Sequence, residues 1–170
     1  TYLRWEKAQE ILRVRATAEP EDPAPLLTMI ELGSRASRYD EIPSLGDRVL
    51  ALADKDPLST ASAQARSRLF ELLSEMTRKA RRVWQEDGAR GAVPPELLAR
   101  ILGAMGRSAE TPEEMVTHAF ADAWLQEIRR EPSRAIEAYQ SVLADARLAQ
   151  VELEAEDRTD PERVAAPVTS

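Results

Sequence analysis

Cysteine and asparagine are absent from all 170 residues, histidine occurs once (His118), and three lysines stand against twenty arginines. Without cysteine there is no disulfide scaffold, thiolate metal site or cysteine nucleophile. Without asparagine there is no N-glycosylation acceptor. The six glycines include Gly88, Gly91, Gly103 and Gly106, which are scattered and lack the following Lys-Ser or Lys-Thr of a phosphate loop. No Gly-x-Ser-x-Gly turn is present to raise a serine nucleophile. The apolar runs last only a few residues, far below the roughly 20 that cross a bilayer, and no signal-peptide pattern opens the chain. Period-two alternation bounded by hairpin signals is missing as well.

What is present is alanine (27 residues), 43% hydrophobic side chains and 31% charged ones, the composition of a helical domain with a single core. The expected organisation is a helical domain over 1–156 and a polar tail over 157–170, whose lack of apolar surface predicts disorder in isolation. The net charge of −7 disfavours broad nucleic-acid binding. It is also uneven. Residues 152–163 hold six carboxylates against Arg158 and Arg163, whereas residues 66–90 hold seven basic and four acidic side chains. The arginine-rich, asparagine-free bias resembles a GC-rich bacterial coding sequence and leads us to expect a cytoplasmic protein. The alternative is a periplasmic or membrane-associated one, tethered by an anchor preceding Thr1, with Tyr2, Trp5 and Arg4 suited to the membrane interface.

Helical periodicity and proline punctuation predict about seven helices and no strands. The first covers about 2–18, with Leu3, Ala8, Ile11, Leu12 and Val14 inward, and stops at Pro20-Glu21-Asp22-Pro23. The second and third cover about 25–38 and 43–55. A long central helix from Ser59 or Thr60 to about Gln85 carries Ala65, Leu69, Leu72, Leu73, Met76, Ala80 and Val83 on one stripe. The fifth opens at Pro94-Pro95. The sixth has an N-cap at Thr111, proline at the first helical position and Glu114 closing a capping box, with Met115, Ala119, Phe120, Ala123, Trp124 and Ile128 inward. The seventh runs from Pro132 to about 155, with Ala135, Ile136, Tyr139, Val142, Leu143 and Ala146 inward. The expected fold is all-α: an irregular helical-hairpin solenoid, or a bundle, ending in an extended acidic tail.

Two windows share a spacing. From Met29 to Pro57, Leu32-Gly33 lie in one helix, Leu45 and Val49 are four apart in the next, and Pro57 closes it; from Ala119 to Ala146, Ala135 and Tyr139 take the places of Leu45 and Val49. Glycine lets paired helices approach closely and proline stops the second helix. This pattern resembles a tetratricopeptide repeat over about 60 of 170 residues. Met29, Ala36, Leu45 and Val49 replace the family's tryptophan, tyrosine, small residue and aromatic, and the second window lacks the closing proline. The resemblance implies a non-catalytic scaffold that takes a peptide or partner helix in a groove. The family's carboxylate clamp is not implied, because the chain has no asparagine.

The candidate partner-binding residues are Arg78, Lys79, Arg81, Arg82 and Trp84, where tryptophan sits beside the densest basic run, together with Glu154, Glu156 and Asp157 of the acidic segment. The same basic run also suits i, i+4 pairing from Glu75 to Lys79 and Arg82 to Glu86, and the acidic segment is its natural mate within or between chains. His118 shares a helix face with Glu114 and Asp122, but one histidine does not furnish a paired-metal site, and a solvated or interface-lining role is expected. We expect no cofactor, no metal and no catalysis. The function expected is a protein–protein interaction scaffold or adaptor subunit of a larger bacterial complex, possible also as a homo-oligomer. A regulatory or ligand-sensing helical bundle is the alternative.

Overall fold

The computed structural model describes residues 2–88 and 93–159, and the side-chain surroundings of residues 5–86, 88 and 93–145. The described residues form seven α-helices: α1 (Tyr2–Ala18), α2 (Ala24–Arg35), α3 (Ile42–Ala53), α4 (Thr60–Asp87), α5 (Pro95–Ser108), α6 (Pro112–Ile128) and α7 (Pro132–Thr159). No strand occurs among them. Proline stands in the first turn of α2, α3, α5 and α6, where its missing N–H loses no hydrogen bond.

Each helix packs on its neighbours in sequence, and α2 on α4, α3 on α5 and α4 on α6 as second neighbours. Packing chiefly on near neighbours makes a bundle or array of helical hairpins, each burying its apolar face on the next. The core follows the middle of that array, with Leu69, Leu73 and Met76 of α4 buried between Ile30, Val49, Ile101 and Leu102. At the α3–α5 crossing, a Cβ on Gly46 would lie 3.4 Å from the Cβ of Ala104, so two small side chains let the backbones come close. On the surface Arg66 reaches Asp54, Glu110 and the carbonyl of Arg107, tying the two ends of the α3–α6 segment together.

Two hairpins close in the same way. Ser37 (φ 56°) after α2 and Arg130 (φ 61°) after α6 take the left-handed conformation. The following amides, of Arg38 and Glu131, bond back to the carbonyls of Gly33 (2.8 Å) and Gln126 (3.0 Å), the six-to-one bond of a Schellman cap. This cap ends α2 at Arg35, three residues before the expected boundary.

Two expectations are corrected. Ile11 and Val14 are 60% and 66% exposed, because α1 packs chiefly on α2 and turns only the narrow stripe of Gln9, Leu12 and Ala16 inward. Met115, Ile136 and Leu143 are exposed too: α7 packs on α6 at the other end of the array, and no further helix covers its outer face among the described residues. α7 is as long as α4, its helix running from Pro132 through Thr159. The rest of the proposed tail, 160–170, lies outside the described residues.

Candidate functional site: a groove between α4 and α6

Residues of α4, α5 and α6 line a groove of about 210 Å³. The helical spacing of Thr77, Arg78 and Arg81 aims these residues of α4 at it, and Phe120 and Trp124 of α6, one turn apart, line it from the other side with Met105 of α5. Phe120 continues to Tyr139 of α7, ring centroids 6.2 Å apart at 44°. The result is an apolar, aromatic trough with two guanidinium groups at its rim.

Neither of those two guanidinium groups is in an ion pair with a described residue. Several other arginines are paired: Arg13 with Glu41, Arg35 with Glu31, Arg68 with Glu31 and Glu71, Arg129 with Glu96. Among the described residues no carboxylate lies within ion-pair distance of Arg78, Arg81 or Arg82. Arg81 does act on the phenol of Tyr139. Burial, with the Glu127 carboxylate that accepts its O–H (3.3 Å), raises the Tyr139 pKa above its ordinary value, and Arg81 works in the opposite direction.

The basic run therefore divides. Arg78 and Arg81 meet at the groove, whereas Lys79 lies on the adjoining flank beside Val83, Asp40 and Pro94 and donates to the carbonyl of Ser34 (3.2 Å). Arg82 is exposed, and Trp84 is half-buried against the core. The side chains of Glu154, Glu156 and Asp157 lie outside the described residues.

No family model, curated protein or solved structure matches the chain. The site must be read on its own chemistry. Its volume is below the roughly 300 Å³ at which small-molecule pockets begin, and suits one or two side chains of a partner. Aromatic and arginine side chains together are the usual composition of such anchor points.

The histidine triplet resolves into structural roles. Glu114 completes the capping box, its Oε2 accepting from the amides of Thr111 (3.1 Å) and Glu110 (2.8 Å). His118 Nε2 lies 3.0 Å from the carbonyl of Leu102, and its ring covers Gly106. Among the described residues no cluster of three or more histidine or carboxylate groups has the arrangement for a metal ion, and no helix is long and apolar enough to cross a membrane.

Phe120, Trp124 and Tyr139 read in sequence as core residues; Trp124 is buried in the core as expected, while Phe120 and Tyr139 are only half-buried. The available signal was their i, i+4 spacing on helices that end an array, where one face has no further helix to meet.

Proposed function

We propose that the chain is a non-catalytic scaffold or adaptor subunit, working in the bacterial cytoplasm, that holds a protein partner by an acidic, apolar-anchored segment in the α4–α6 groove. The observation that carries this reading is the pair Arg78 and Arg81, unpaired at the rim of a trough walled by Phe120 and Trp124. A guanidinium held beside apolar surface gains more from a carboxylate than one in open solvent, because the local dielectric is lower. An apolar partner side chain entering the trough contributes in addition about 25 cal/mol for each Å² removed from water.

The chain is further read as a degenerate tetratricopeptide-type array. Supporting this, the two windows with repeat-like spacing are the two hairpins that share the left-handed cap, and Leu45 and Ala135 are both buried at matching positions.

The test is titration of the full chain with a fluorescent 15-residue peptide holding one leucine flanked by Asp and Glu, followed by anisotropy. Arg78→Glu with Arg81→Glu is expected to raise Kd by about tenfold or more, the equivalent of about 1.4 kcal/mol. Unchanged affinity in that variant overturns the groove as the binding site.

A further inference from the structure

We propose that the occupant of the α4–α6 groove is the acidic end of α7 from a second copy of this chain, a reading that rests on the groove being a docking site. α7 is longer than the α6 it packs on. α6 has 17 residues and α7 has 28, so α7 projects past the start of α6 by roughly 16 Å at 1.5 Å per residue. A helical end of this length derives stability from packing its apolar positions on something else.

The projecting end has the chemistry the groove lacks. Residues 152–163 carry a net −4, while residues 66–90 carry +3 and include the unpaired Arg78, Arg81 and Arg82. Helical spacing places Leu153, Glu156 and Asp157 on one face, at i, i+3 and i+4. That face offers one apolar anchor for a trough of side-chain size and two carboxylates for two arginines set three residues apart.

Helix rise separates Glu154 from Arg81 of the same chain. Tyr139, on which Arg81 acts, is separated from Glu154 by fifteen residues of continuous helix, roughly 22 Å of rise. The Arg81 side chain does not span that gap. A second copy brings the two together, and reciprocal exchange closes a two-fold dimer.

Sedimentation velocity of the full chain from 1 to 100 µM, at low and high salt, tests the exchange. The expected result is a dimer that weakens with salt. Arg78→Glu with Arg81→Glu, and separately Glu154→Lys, Glu156→Lys and Asp157→Lys together, should each weaken association about tenfold or more, and both sets in one chain should restore it. All the arginines replaced are exposed, and circular dichroism verifies that each variant is folded. A wild-type chain that stays monomeric, or a combined variant that does not recover, overturns the exchange. If that monomer still binds the leucine-centred acidic peptide through Arg78 and Arg81, the docking groove stands and only its proposed occupant falls.

Discussion

Gly103 and Gly106 lie three residues apart on α5 and tolerate opposite things. A Cβ on Gly103 meets nothing within 4 Å, whereas one on Gly106 would lie 2.7 Å from His118 Nε2. Gly103→Ala should therefore raise stability by about 1 kcal/mol through helix propensity alone. Gly106→Ala makes the same gain but pushes the imidazole off the Leu102 carbonyl, at a cost of about 1 kcal/mol for the hydrogen bond plus lost packing. The two variants should separate by more than about 1 kcal/mol in urea denaturation. Tyr139 makes a second prediction at this scale. Its folded pKa is raised, so its contribution is fully present below the unfolded value near 10 and is lost as pH rises through the folded value. Stability should fall in that alkaline window, and Tyr139→Phe should flatten the fall when denaturation midpoints are compared from pH 8 to 11.

Helix ends are where local sequence speaks most plainly. The capping box of α6 was legible as Thr111-Pro112-Glu113-Glu114 because all its bonds are made within four residues. Thr111→Ala should lower stability by about 1 kcal/mol, measured as a shift in the urea midpoint. The ends of α2 and α6 were not legible, because Ser37 and Arg130 hold a left-handed conformation that their side chains do not announce. Arg130→Gly relieves that conformation and should stabilise the protein by about 1 kcal/mol, visible as a higher melting temperature. Inward faces were read correctly where a helix has neighbours on several sides, as with Leu69, Leu73 and Met76 of α4. On α1 and α7 periodicity allows more than one apolar face, so Ile11, Val14, Ile136 and Leu143 were placed inward and lie outside.

Across the whole molecule, packing between first and second neighbours makes the middle of the array the place where substitutions matter most. Leu73→Ala, at a fully buried site of α4, should cost about 2–5 kcal/mol, while Leu143→Ala on the open face of α7 should change stability by less than about 0.5 kcal/mol; paired urea titrations compare them. Half of the candidate site was legible on the same principle. A run such as Arg78-Lys79-Ala80-Arg81-Arg82 declares its charge in one dimension, but the helix then sends Arg78 and Arg81 to one groove and Lys79 to another flank. By itself the sequence determined the all-helical class, the number of helices, most of their starts and the segregation of charge, since these depend on 3.6-residue periodicity, proline and capping side chains acting over a few residues. Only the tertiary structure decided which apolar faces stay open and that Phe120 and Trp124 face Arg78 and Arg81. Those outcomes depend on how α4, α5 and α6 pack together, bringing residues some forty positions apart to one groove that no local pattern encodes.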